Sequence, residues 1–300
     1  MKKITFLILA FIIAFPSFGQ GQKELKVISY NIWNGFDWGK DPERRLALGQ
    51  WMKNQAPDVV ALQELCAYTP EKLQEDATSW GHDYSVLLKT TGYSVGITSA
   101  EPIEVRSRLF APLHHGALHV VIVGIDYLVI HLHPGSIQRR REELQLLRAY
   151  IDEVIQTTEN LMVLGDFNAH SPLDASVYLE NQAWLEDKWE SYQEKGLDGN
   201  MAIKLQPDYS VMAGFLSLPL YDVVWQSKGA SKDNVSYPAM ALSDKENQGT
   251  EIPGNERIDY IMVSEDLQPS IIEAHIGNKE DNWYLSDHYP VIATFNLPAN

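Results

Sequence analysis

The sequence predicts an α/β fold in which stacked β-sheets are covered by helices. Many short apolar runs are rich in β-branched residues, and a few longer stretches carry apolar residues at helical spacing. Polar residues with chemical capability also recur just beyond the ends of the apolar runs.

Nine runs have the length and composition of strands: Leu25–Tyr30, Val59–Leu62, Tyr84–Leu88, Ala117–Ile125, Tyr127–Leu132, Leu161–Leu164, Tyr221–Trp225, Ile258–Val263 and Val291–Phe295. Helices are expected over Pro42–Gln55, with Leu48, Trp51 and Met52 on one face, and over Arg140–Thr157, with Leu144, Leu147, Ile151 and Val154 as its apolar stripe. Ala175–Lys188 is a further helical candidate. Residues 226–257 are rich in Gly, Ser, Asn and Asp and read as loop. No repeat or low-complexity linker divides the chain.

Composition narrows the class. Of 300 residues, 45% are hydrophobic and 21% charged, which is globular material, not disorder. Lys2 and Lys3 precede an apolar run from Ile4 to Phe15, and small residues follow at Ser17 and Gly19. That order is the pattern of a secretory signal peptide. The expectation is a leader over residues 1–19, cleavage near Gly19–Gln20, one domain over residues 20–300, and a secreted or periplasmic product. No later segment is apolar enough to span a bilayer, so an integral membrane protein is not expected. Net charge is −16, which argues against a passive nucleic-acid-binding module. Cys66 is the one cysteine, so no internal disulfide forms; it is expected to be buried.

The placement of polar residues carries the chemistry. Asn31, Glu64, His131 and the Asp166–Asn168 pair follow apolar runs, whereas Asp259 and the Asp287–His288 pair precede them. In antiparallel or mixed sheets the end of one strand lies beside the start of its neighbour, so all of them can meet at one rim. Their oxygen atoms suit a hard cation such as Mg²⁺, with Glu64 and either Asn31 or Asp287 as protein ligands. Asp166 can orient a water, Asn168 can donate to a phosphoryl oxygen, and His131 and His288 can relieve its charge, with Asp259 aiming one imidazole.

Six segments occur in a recognisable order: YNIW (30–33), LQE (62–64), VIHLHP (129–134), GDFN (165–168), RIDYIMVS (257–264) and SDHYPV (286–291). On these the chain resembles the endonuclease/exonuclease/phosphatase superfamily, the deoxyribonuclease I-like fold. The resemblance implies a four-layer α/β/β/α sandwich of two mixed, mostly antiparallel sheets. It implies divalent-metal-dependent hydrolysis of a phosphodiester or phosphomonoester by an activated water, with Mg²⁺, or Mn²⁺ or Ca²⁺, as cofactor. It implies Glu64 as main metal ligand with Asn31 close by, Asp166 and Asn168 on water and phosphate, His288 in a dyad with Asp259, and Asp287 near the metal. His131 matches the nuclease, sphingomyelinase and inositol-phosphatase branches; abasic-site endonucleases lack it. His133 departs from the pattern. The implied partner is a phosphate ester: nucleic acid, a phospholipid headgroup, or an inositol or sugar phosphate. No stable protein partner is implied. Specificity is expected in loops 34–41, 171–215 and 226–256.

Other readings are weaker. GYSVG (92–96) fits a nucleophile elbow around Ser94, but no helical stripe follows. His131 and His133 share a strand face and suit Zn²⁺, without a clear third ligand. His114, His115 and His119 carry no interpretable spacing. Arg139–Arg141 open a helix, where cations oppose its dipole, so an arginine reaching an anionic substrate or bracing the site is one reading and a solvated face the other. Trp33, Trp38 and Trp283 lie near site segments, where stacking on a base, sugar or lipid headgroup is one reading and core packing or a pocket wall the favoured one. Phosphate-binding glycine loops are absent. A secreted binding protein of the same fold without catalysis is the rival class; intact Glu64, Asp166, Asn168, Asp259, Asp287 and His288 favour the enzyme.

Overall fold

A computed structural model describes residues 22–197, 199–242 and 256–298. The expected leader lies outside them. Two six-stranded sheets stack face to face. The first runs in the order β13 (Ile271–Ile276), β14 (Val291–Pro298), β1 (Gln22–Asn31), β2 (Val59–Gln63), β4 (Gly96–Ser99), β3 (Tyr84–Leu87). The second runs β11 (Leu220–Asp222), β12 (Asp259–Ser264), β8 (Leu161–Asp166), β7 (Ile125–His131), β6 (Ala117–Ile122), β5 (Glu104–Leu109). Only β1–β2 and β7–β8 pair in parallel within these two sheets; the other neighbours are antiparallel. A small ribbon pairs β9 (Met201–Ile203) with β10 (Gln206–Pro207).

Burial explains the stacking. The central strands β2, β4 and β8 are buried at every residue, so they need cover on both faces. Val27, Ala61, Ile97, Val120, Val129, Leu164, Ile261 and Ala293 fill the space between the sheets. On the outside of the first sheet, Ile28, Tyr30 and Val60 meet Leu48 and Met52 of α2 (Pro42–Gln55) and Leu73 of α3 (Pro70–Ser79). On the outside of the second, Leu128, Ile130 and Val163 meet Leu144, Leu147 and Ile151 of α4 (Ile137–Val154) and Phe215 of α7 (Ser210–Leu216). The result is the expected α/β/β/α layering. Each fully buried aliphatic side chain contributes about 1.5–3 kcal/mol of transfer free energy.

Several elements differ from the sequence reading. The run at 221–225 splits: β11 ends at Asp222, whose Oδ1 accepts from Val224 and Trp225 N–H and so caps helix α8 (Val223–Lys228). The candidate helix 175–188 is two helices, α5 (Ala175–Glu180) and α6 (Gln182–Lys195), and Asn181 caps the second. Strands β4, β5 and β13 and helices α3 and α7 were not anticipated as elements. Segment α1 (Trp33–Gly39) is wound left-handed, with positive φ from Trp33 through Gly39. Gly35 is required there, since a Cβ would stand 2.2 Å from the Cys66 carbonyl oxygen. Among the described residues, no helix is long and apolar enough to cross a membrane.

Candidate active site

The rim of the sandwich collects the residues singled out in the sequence. β7, β8 and β12 end or begin in register, with His131 opposite Asp166 and Asp166 opposite Asp259. Gly165 lets β8 lie close to β7 at this point: at its φ of +144° a Cβ would stand 1.9 Å from the Ile130 oxygen. In the other sheet, Asn31 ends β1 opposite Gln63 of β2, which places Glu64 one residue beyond. Asp287 and His288 arrive on the segment that leads into β14.

Asp166 is the hub. Its Oδ2 accepts from Asn31 Nδ2 at 3.1 Å and its Oδ1 from the Asn168 backbone N–H at 2.8 Å. His131 Nε2 lies 3.5 Å and His288 Nε2 3.8 Å from Oδ2. His288 Nδ1 binds Asp259 Oδ2 at 2.8 Å. Asn168 Nδ2 donates to the Leu132 oxygen. Glu64 is half-buried with φ +61°, and its Oε2 accepts from the Asn34 N–H at 2.6 Å. The left-handed turn is therefore what aims that amide at the carboxylate.

Charge divides the two histidines. Burial alone would lower the His288 pKa, but Asp259 and Asp166 outweigh it and hold the ring well above its ordinary value. His131 goes the other way: burial, then His115 and His288, push it well below. At neutral pH the first is an imidazolium and the second a neutral ring. Burial and the neighbouring Asp259 drive the Asp166 carboxyl above the usual range. Asp287 is pushed up to about 6 by burial, with Glu64 adding repulsion against the relief from His288.

Asp166, raised by burial and Asp259, and Asp287, raised by burial and Glu64, mark a site with excess negative charge, and a divalent cation fits it. Ligand atoms of Asp166, Asp259 and His288 all lie within 4.8 Å of one another. Among the described residues this is the group of three or more potential ligand side chains that converges so, and it includes neither His131 nor His133. The zinc reading therefore lacks a site: the His131 ring faces Asp166, whereas the His133 ring packs 4.4 Å from that of His114. The serine reading fails on context too. Ser94 is fully buried, its Oγ bonds Val95 O and Lys89 N, and a strand follows it.

The structure adds residues that the sequence did not mark. Ser286 Oγ donates to the Asn31 oxygen at 2.7 Å. The Tyr237 ring packs 4.8 Å from His288. His115 stacks on His131 at 4.1 Å and 19°. Sequence spacing gives this ring no role, because contact across the β6–β7 end is invisible in it. The three arginines also separate. Arg140 is buried and donates to the His133, Pro134 and Gly199 oxygens and to Asn200 Oδ1; Asn200 Nδ2 in turn donates to the Asn168 oxygen. Arg141 pairs with Asp208 at 2.5 Å, and Arg139 stays exposed beside Glu142. Trp38 is exposed against Tyr93, Trp33 stacks under Arg44, and Trp283 packs on the core. Cys66 is buried, and burial pushes its thiol up to about 12.

The model of the Endonuclease/Exonuclease/phosphatase family matches residues 28–288. The chain belongs to this family. By that membership it is a phosphoesterase. Solved structures share the fold: a 3′ phosphatase NExo from Neisseria, bound to product DNA hairpin (TM-score 0.65, 20% identity, covering 91% of this chain and 100% of the other), and an AP endonuclease from Archaeoglobus fulgidus (0.64, 19%, 90% and 99%). TDP2 from Caenorhabditis elegans is similar over 91% and 98% at 18% identity and TM-score 0.57. No curated protein sequence matches the chain.

Proposed function

We propose that this phosphoesterase is Mg²⁺-dependent and hydrolyses a phosphodiester or phosphomonoester by in-line attack of water. The observation that carries the reading is the convergence of Asp166, His131 and the Asp259–His288 pair on one rim. Asp166 takes a proton from the attacking water, which its raised affinity for protons favours. His288, held charged by Asp259, donates from Nε2 to a phosphoryl oxygen. His131, neutral and buried, donates a hydrogen bond beside it. Asn168 offers the second hydrogen of its amide, the first being bonded to Leu132. Glu64, with Asn31 or Asp287, would hold the ion. When bound, Mg²⁺ would supply charge relief at the phosphoryl oxygens.

Residues 1–19 act in this reading as a cleaved leader that sends one domain, residues 20–300, to the periplasm or medium. The amino terminus of protein recovered from the medium or periplasm tests that by mass spectrometry. Two of the fold relatives are described with DNA product, a NExo and a Danio rerio TDP2, which supports a DNA strand as the first substrate to try. The deciding experiment is turnover of plasmid DNA, RNA, bis-p-nitrophenyl phosphate, sphingomyelin and inositol phosphates, each with Mg²⁺ and with EDTA. Metal-dependent release from any of them supports the reading. Full activity in a variant carrying both Asp166→Ala and His288→Ala would sink it.

A further inference from the structure

The two histidines of the rim are aimed by different means. His288 is held through its far nitrogen: Nδ1 binds Asp259 Oδ2 at 2.8 Å, which leaves Nε2 turned toward Asp166 at 3.8 Å. A partner on the far nitrogen is the common way to fix an imidazole's tautomer and plane. His131 has no such partner. Its Nε2 lies 3.5 Å from Asp166 Oδ2, yet no protein group among the described residues bonds its Nδ1. The ring is buried, so its orientation must come from packing. His115 supplies that packing. The two rings are stacked, with centroids 4.1 Å apart and planes 19° from parallel. Turning His131 about its Cβ–Cγ bond would drive the edge of its ring into the face of His115, and a close-packed interior resists that. Burial, then the neighbouring imidazoles, keeps both rings neutral at pH 7, so no charge repulsion opposes the contact.

His115 is itself fixed. It is buried, and the rings of Tyr93 and His114 lie 5.4 and 4.4 Å from its own. Strand register brings it there: Ala117 of β6 pairs with Ile130 of β7, so the residues just before β6 run beside the end of β7. Gly116 makes the approach possible, since at its φ of +86° a Cβ would stand 2.7 Å from the Leu109 oxygen. Glu143 of α4 then ties the two segments together. Its Oε1 accepts the His114 backbone N–H at 2.7 Å and its Oε2 the His133 backbone N–H at 2.8 Å. One buried carboxylate thus sets the spacing between the segment that carries His115 and the segment that follows His131.

We propose that His115 is a positioning residue of the phosphoesterase reaction: its ring, stacked on His131, does for that imidazole what Asp259 does for His288. His115 acts through His131 and not on the substrate. It keeps the His131 plane aligned, so that Nε2 presents its hydrogen to the phosphoryl oxygen beside Asp166. The role needs a flat ring; it needs neither a charge nor a hydrogen bond from His115. The inference rests on the phosphoesterase reading and deepens it by naming what holds one of its two imidazoles in place.

Kinetics with bis-p-nitrophenyl phosphate, or with whichever ester of the panel above is turned over, test it alongside NMR. His115→Ala removes the ring; its kcat is expected to fall about 10²-fold, the cost of a small misplacement at a reacting centre, with KM within about twofold of wild type. His115→Phe keeps a flat ring without nitrogens and should hold kcat within about threefold of wild type. In a His131→Ala background, His115→Ala should cost less than about twofold more, because the ring it acts through is gone. His115→Leu, which fills the space without a flat ring, takes the place of the alanine variant if that one does not fold. The carbon-bound ring protons of His131 report the stack without any substrate: the ring current of the neighbour should displace them in wild type and in His115→Phe, and not in His115→Ala. An unchanged kcat in His115→Ala, a phenylalanine variant as slow as the alanine one, or a full alanine effect in the absence of His131 overturns the positioning role and leaves the phosphoesterase reading standing. Wild-type protein that shows the displaced His131 resonances but turns over no ester of the panel overturns that reading, and the positioning role with it.

Discussion

His288 and Asp259 bond across the two sheets: Nδ1 of the residue leading into β14 lies 2.8 Å from Oδ2 of the residue that starts β12. The pair links the sandwich layers at the point where Asp166 ends β8. Asp259→Asn keeps an oxygen for the bond and removes the charge that holds the imidazolium. Its kcat is expected to fall about 10²- to 10⁴-fold, the usual contribution of a positioned acid, while thermal unfolding stays close to wild type. Steady-state kinetics beside a melting curve check it; a kcat within a few-fold of wild type would remove His288 from the chemistry.

Glu64 is tied to Asn34 N–H through a left-handed turn, and its charge helps to raise the Asp287 carboxyl. Glu64→Gln retains the size and one acceptor but lowers the charge offered to a cation. The Mg²⁺ concentration for half-maximal activity should rise about 10- to 100-fold. A metal titration of activity, repeated with Mn²⁺, reads this directly.

Arg44 holds the same turn. Its Nη1 donates to the Ile32 and Leu285 oxygens at 2.9 and 3.0 Å, and its Nη2 to Trp33 O at 2.9 Å. These carbonyls belong to the segments that carry Asn31, Asn34 and Asp287. Arg44→Ala should cost about 2–4 kcal/mol of stability, since hydrogen bonds to charged groups are worth about 1.5–3 kcal/mol each and solvent replaces some of them. Denaturant unfolding measures the loss.

Arg257 is buried between Asp174 and Asp222, with Nη2 and Nη1 at 2.6 Å from each. Arg257→Met strands two buried carboxylates. A loss of about 3–5 kcal/mol is expected, and the variant should regain part of it when Asp174→Asn and Asp222→Asn are added. Urea denaturation of the single, double and triple variants measures both the loss and the recovery.

Acid stability should report on His115. Burial, then the neighbouring His114, lowers its pKa from 6.5 to about 3. A depressed histidine binds fewer protons folded than unfolded, so its contribution is whole above the unfolded value and is lost as pH falls from 6.5 toward 3. The loss is about 1.4 kcal/mol per pH unit inside that window. The stability gap between wild type and His115→Asn should therefore narrow by about 2 kcal/mol from pH 7 to pH 5. A gap independent of pH would show that the ring is not held neutral.

The site was legible because chemistry-bearing residues sit at strand ends, where the side chains leave the core. GDFN and SDHYPV could be read for that reason. His115 could not: its role depends on a stacked contact with His131 across a β6–β7 pairing, and His114 and His119 look the same in sequence. His119 turns to Asp126 and Tyr150 instead. Strand β5, with exposed Glu104, Val105 and Arg106, lacks the apolar run of an inner strand because it is a sheet edge.

The sequence alone determined the layered class, inner strands such as β1, β2, β7, β8 and β12, and the set of residues at the rim, because apolar periodicity and run length are local properties that burial imposes. Register, the left-handed turn at 33–39, the split of the charge states of His131 and His288, and the course of Arg139, Arg140 and Arg141 to three different surroundings were decided only by tertiary structure. Each depends on which atoms distant segments bring within a few ångströms, and dielectric, charge and hydrogen-bond partners exist only once they have met.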